Sequence, residues 1–243
     1  MSEGMGDIAD RCGRLIRFAL RLRFLPADDV EYLQLVRDFL SSADFQEVTN
    51  AFALGLGLRI LNASTQSGLT LGTTMESPFQ VQREDYHSRM SASDRIVQGI
   101  VHLAVAAWCF PRAEDLREAD DVLPARMTVD QLVEYLHALC EELKTREDRG
   151  MADSSAEVRT AWQYVLALGK YSDSVDGRGF ATLAGKVRYA LSFLTDHGFL
   201  KREGPDTHPA WLARPTFRIH VREYAGHEAF ATVMRAAQEV PRG

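Results

Sequence analysis

Apolar residues recur along this chain mostly at helical spacing. Ile8, Leu15, Phe18 and Leu22 share one side of a helix predicted over 8–24, with Arg11, Arg14, Arg17 and Arg21 forming a separate basic stripe. After Pro26, Asp28 is placed to cap a helix whose N3 residue is Glu31, and Val30, Leu33, Val36, Phe39 and Leu40 make its buried side. Asp44 then opens a helix carrying Phe45, Val48, Phe52 and Leu56, which the Gly55/Gly57 pair stops. From Leu58 the pattern shortens to two strands, Leu58 to Leu61 and Leu69 to Leu71, around a loop ending at Gly68. Helix, helix and hairpin in this order outline a first winged-helix-like unit, assigned to residues 1–76.

Residues 77–150 form a helical middle segment. Ser91 and Asp94 make a capping box ahead of an apolar helix from Arg95 to Phe110, and Thr128 with Gln131 makes another. The second box opens a helix with Val129, Leu132, Leu136, Leu139, Cys140 and Leu143 on one face. An acidic loop from Glu114 to Asp121 separates the two.

The final part, residues 151–243, begins with a helix from about Ala156 to Lys170. A turn-rich loop follows, then a helix from Thr182 to His197 burying Leu183, Val187, Ala190, Leu191 and Leu194. Gly198 ends it, Phe199 to Glu203 reads as a strand, and a loop from Gly204 to Pro215 leads to a second strand, Thr216 to Arg222. There Phe217, Ile219 and Val221 alternate with Arg218, His220 and Arg222, giving a basic outer face. A last helix spans His227 to Val240. The fold class expected is mainly α with short β-hairpins, arranged as tandem winged-helix domains.

Composition changes this picture little. Of 243 residues, 46% are hydrophobic and 26% charged, ordinary globular usage that needs no disulfide or metal to build a core. Cys12, Cys109 and Cys140 are odd in number and widely spaced, which points to buried thiols in a reducing, cytoplasmic setting. The arginines from Arg11 to Arg23 break any signal-peptide core, and the longest apolar run, Ile100 to Phe110, is too short to span a bilayer, so no membrane partner is expected.

Charge is unevenly distributed beneath the net −6. Arg11 to Arg23 holds five arginines and no acid, Ala113 to Glu157 thirteen acids against five bases, and Arg178 to Arg222 eight bases against three acids. If the last segment meets DNA, the candidate phosphate contacts are Arg178, Lys186, Arg188, Lys201, Arg202, Arg214 and Arg218. Arg11, Arg14, Arg17 and Arg21 form a possible second basic patch. The helix face around Lys186 and Arg188 holds Thr182, Gly185, Tyr189, Ser192 and Asp196, few of them good base readers, so backbone contacts are expected over sequence readout. Winged-helix units also serve in protein contacts alone.

No catalytic centre is expected. His137 and Cys140 lie one helical turn apart but lack a second ligand pair for zinc. Gly55-Leu-Gly57 lacks the third glycine of a dinucleotide loop, and neither a phosphate-binding Gly-Lys-Ser/Thr nor a Gly-x-Ser-x-Gly elbow occurs. No metal and no cofactor is called for.

The run Leu191 to Glu203, which reads as third helix, glycine and wing, resembles winged-helix proteins. The layout as a whole resembles the MukE-like (KITE) tandem winged-helix accessory subunits of bacterial SMC, or condensin-type, complexes, including those of Wadjet plasmid-defence systems. Leu69-Thr-Leu-Gly72 followed by Ser77-Pro-Phe79 adds to that likeness. The resemblance implies a homodimer, associated with the nucleoid, that binds a kleisin subunit, helps an SMC ATPase hold double-stranded DNA without regard to sequence, and hydrolyses nothing itself. The alternatives are a dimeric winged-helix transcription regulator and a helical scaffold that never meets DNA.

Overall fold

The computed structural model describes residues 5–79, 90–117, 125–151, 155–171 and 180–242. The chain divides into two compact units, Met1–Ser88 and Arg89–Gly243. Both are mainly helical, and each holds one two-stranded antiparallel hairpin.

In the first unit α1 (Met5–Ala19), α2 (Val30–Ser41) and α3 (Ala43–Gly55) precede a hairpin of β1 (Leu58–Ser64) and β2 (Gly68–Thr73). Leu15, Ile16, Phe18, Tyr32, Leu35, Val36, Phe39 and Phe45 form the centre of its core, with Phe18, Phe24 and Tyr32 stacked ring on ring.

Two helix starts differ from the sequence reading. Asp29, not Asp28, caps α2 by accepting from the Tyr32 N–H at 3.0 Å, while Asp28 accepts from the Leu25 N–H in a 3₁₀ turn, Pro26–Asp28. Glu31 therefore stands at N2, and no capping box closes. The buried face of α2 turns with the start: Tyr32 and Leu35 go inside, while Val30 is 86% exposed and Leu40 lies outside. Likewise Ser42, not Asp44, caps α3, burying Thr49 and Ala53 and leaving Phe52 exposed. Leu22, expected on the buried side of α1, lies beyond its end and is exposed.

The hairpin is longer than expected, with pairing continuing through Ala63↔Leu69 to Ser64↔Gly68 after an irregularity between Ile60 and Asn62. Gly68 adopts φ +75°, and the Tyr32 hydroxyl accepts from the Leu69 N–H at 3.0 Å, so core and turn are tied together.

The second unit comprises α4 (Ala92–Cys109), α5 (Val129–Asp148), α6 (Ala156–Ala167), α7 (Leu183–Asp196), β3 (Leu200–Glu203), β4 (Ala210–Ala213), α8 (Pro215–Tyr224) and α9 (Glu228–Ala237). The capping boxes at Ser91/Asp94 and Thr128/Gln131 form as expected, and the apolar faces read for α5 and α7 are buried. Helices α4 and α5, read as a middle segment, share one core with α6, α7, α9 and the hairpin. Met127 pairs with Trp211 on β4. All three cysteines are free and buried, and burial pushes the Cys109 and Cys140 thiols up, out of reach of ionisation.

The strand expected over Thr216 to Arg222 is helix α8, and the partner of β3 is Ala210–Ala213, inside the expected loop. Pro215 occupies the first helical turn, where its missing N–H costs nothing. Phe217 and Val221 lie one turn apart and enter the main core, while Ile219, on the other side of α8, is also buried but outside that core. A helix covered on both sides shows the alternation of a half-exposed strand.

Candidate nucleic-acid interface

The hairpin of the second unit carries two exposed bases. Strand β3 directs Leu200 into the core and exposes Lys201 and Arg202. Lys201, 60% exposed, pairs with Glu203 at 3.0 Å, and Arg202 donates to Asp206 at 2.7 Å. Exposed pairs of this kind hold loosely, contributing about 0–1 kcal/mol, so a phosphate can displace either carboxylate. Arg214 and Arg218 are half-buried, one preceding α8 and one in its first turns. The Arg214 N–H donates to the Phe199 carbonyl at 2.8 Å, which sets the start of α8 beside β3. Arg188 is half-buried on α7. Arg178 lies outside the described residues.

Lys186 is elsewhere. Its side chain is 2% exposed, its ammonium pairs with Asp94 in the first turn of α4, and its Nζ lies 4.1 Å from the centroid of the Phe180 ring. The Gln98 side-chain N–H donates to the Lys186 carbonyl at 3.1 Å. Burial raises the Asp94 carboxyl, but the hydrogen bonds from Lys186 and Ser91 outweigh it and leave its pKa below the ordinary value. Residues 182–187 are all buried, so the first turn of α7 presents no surface. Lys186 is therefore a buried counter-charge to Asp94 and cannot reach a phosphate. Sequence periodicity placed it on an outer face because its partner Asp94 stands 92 residues earlier in the chain. The one local signal is the small pair Ala184-Gly185, the residue type that close helix approach requires.

The N-terminal stripe divides in two. Arg11 pairs with Asp38 at 2.5 Å and lies over the Phe45 ring, and Arg14 is held between Asp10 at 2.8 Å and Glu31 at 2.6 Å. These two arginines hold α1 against α2 and are already neutralised. Arg17 and Arg21 are exposed, their guanidinium groups 5.2 Å and 4.2 Å from the centroids of Phe18 and Phe24, and Arg23 beside them is exposed too. The outward patch is thus Arg17, Arg21 and Arg23. Helix α3, directly before the first hairpin, has no basic residue and exposes Asp44 and Glu47, which repel phosphate.

Among the described residues no helix is long and apolar enough to cross a membrane. No protein-family model matches this chain, and no curated protein matches it.

Proposed function

We propose that this chain is a non-catalytic subunit built from two winged-helix-like units, acting in an SMC-type DNA-condensing or plasmid-restricting complex. In that role it binds a kleisin beside the SMC ATPase, as a homodimer in the cytoplasm at the nucleoid, and touches the DNA backbone through the β3–β4 hairpin. The order of three helices and a hairpin in the first unit, and of α5, α6, α7 and a hairpin in the second, supports the winged-helix reading. The observation that carries the functional reading is the burial of residues 182–187, with Lys186 turned onto Asp94 of α4. A winged-helix transcription regulator reads sequence by inserting the N-terminal part of its third helix into the major groove, and here that part is covered. Of the candidate bases in this unit Lys201 and Arg202 are exposed, and they stand on the hairpin rather than on α7, a placement that fits contact with the DNA backbone. Exposed acids on α5, including Asp130, Glu134, Glu141 and Asp148, fit a protein-facing side.

The test is binding of the full chain to unrelated and promoter-derived duplexes across a salt series, beside the Lys201→Ala/Arg202→Ala variant. Weak, sequence-blind binding is expected, with a log-log salt slope that falls by about 1 for each phosphate contact removed. Tight binding to a single duplex, unchanged in the variant, refutes the proposal in favour of a regulator.

A further inference from the structure

Residues 20–23 form a turn at the end of α1 in which Leu20, Arg21, Leu22 and Arg23 are all exposed in succession. Leu22, at 55% exposure, stands out between two arginines. Phe24 folds back onto the core, where its ring stacks on Phe18 and Tyr32, and it carries the Arg21 guanidinium on its face. The turn is therefore held by stacked aromatics, and Arg21 is ordered before any partner arrives.

Three anionic partners deserve comparison. An acidic peptide is taken up by a groove or a sheet edge, and residues 20–23 are a short exposed turn outside the strands. An anionic membrane demands far more apolar surface. Even one myristoyl chain, with more than ten methylenes, gives only marginal binding, and the turn offers one well-exposed leucine and one at the margin of exposure. Duplex DNA needs only a single apolar wedge flanked by bases: minor-groove binders insert a leucine or phenylalanine between base steps while arginines enter the groove, which is about 6 Å wide.

We infer that the Arg21-Leu22-Arg23 turn of the first unit is a minor-groove wedge that inserts Leu22 between base steps and bends duplex DNA, with Arg17 on the adjoining phosphates. The inference rests on the reading that the chain contacts DNA, and it assigns that contact a geometry the β3–β4 hairpin does not share. A narrow, A·T-rich groove strengthens the attraction for the arginines, and flexible pyrimidine–purine steps ease the kink, so sites combining the two are preferred weakly and without base readout.

The experiment measures energy transfer between dyes at the two ends of a short duplex on titration with the full chain, with a minor-groove ligand of the netropsin type as competitor and neutral or anionic vesicles in parallel. Variants are Leu22→Ser, Arg21→Ala/Arg23→Ala and Lys201→Ala/Arg202→Ala. The expected result is a bend within the range of about 20–90° known for such wedges, abolished by the competitor and by Leu22→Ser. Leu22→Ser leaves the salt slope unchanged because it removes no charge, while Arg21→Ala/Arg23→Ala lowers the slope by about 2. The hairpin variant weakens binding and keeps the bend. Salt-dependent duplex binding without a bend, or a bend intact in Leu22→Ser, overturns the wedge and leaves the DNA-contacting reading standing. Absence of any salt-dependent duplex binding overturns both. Pelleting with anionic vesicles that is lost in Leu22→Ser, without a duplex bend, assigns the turn to lipid and overturns the wedge as well.

Discussion

Removing either partner of the Lys186–Asp94 pair should have unequal effects. Asp94→Asn keeps an oxygen able to accept from the Ser91 N–H and removes the charge, leaving the Lys186 ammonium buried beside the Phe180 ring without its counter-charge. Breaking a fully buried pair in this way costs about 3–5 kcal/mol, and because the Asp94 side chain is 28% exposed and water can reach part of the site, a smaller loss, about 2–3 kcal/mol, is expected. Lys186→Met, by contrast, fills the same slot with an apolar chain and leaves a carboxylate that still reaches water and still accepts from Ser91. Its cost should stay within about 1 kcal/mol. All three tryptophans, Trp108, Trp162 and Trp211, lie in the second unit, so urea unfolding followed by tryptophan fluorescence reports on this unit alone. With a slope of about 2 kcal/mol/M, Asp94→Asn should lower the midpoint by about 1 M or more and Lys186→Met by under half that. The sign with pH follows from the depressed Asp94 value: its contribution is present above the unfolded value of 3.8 and is lost as pH falls through the folded one. Equal losses in the two variants would refute the reasoning, since they would make the attraction itself, rather than the stranded ammonium, the source of stability. A large fall in DNA binding by Lys186→Met would equally contradict the placement of Lys186.

Further outcomes follow from other contacts. His102 is pushed down to about 4 from 6.5 by burial and secondarily by His197, so between those values the unfolded chain takes up a proton that the fold refuses. Stability of the second unit should be constant above pH 6.5 on this account and fall by up to about 3 kcal/mol toward pH 4, and His102→Gln should flatten that slope in acid-titration melts. At Gly68 an added Cβ would stand 2.0 Å from the Tyr32 hydroxyl at φ +75°, so Gly68→Ala should cost more than about 2 kcal/mol. Tyr32→Phe alone should cost about 1–2 kcal/mol by stranding the Leu69 N–H, and the double variant should cost less than the sum, measured by unfolding monitored through circular dichroism. Val30→Lys should change stability by less than about 0.5 kcal/mol, whereas Leu35→Ala in the same helix should cost about 2–5 kcal/mol; a large loss in the first would restore the helix phase read from the sequence.

Local chemistry determined what the sequence alone could carry. A capping box joins residues three apart, so the starts of α4 and α5 were legible, as were the apolar faces of α5 and α7 and the glycine turn into β3. Where two residues competed for one local role, the tertiary structure chose. Asp28 and Asp29 are both able to cap, and Asp29 prevails in a fold where Tyr32 turns inward and its hydroxyl meets the Leu69 N–H, thirty-seven residues away. The alternation in 216–222 has period two in sequence whether a strand has one wet face or a helix is buried on both sides, and only the neighbours of α8 distinguish these. The candidate site divided by the same rule. The exposure of Lys201 and Arg202 was legible because the strand after Gly198 ends in a run of charged residues, whereas Lys186, Arg11 and Arg14 are held by Asp94, Asp38 and Glu31 on other helices. A base beside an exposed neighbouring acid can still reach a ligand, whereas one bound to an acid on another helix is held in place, and that depends on residues far away in the chain, which periodicity along one helix does not register.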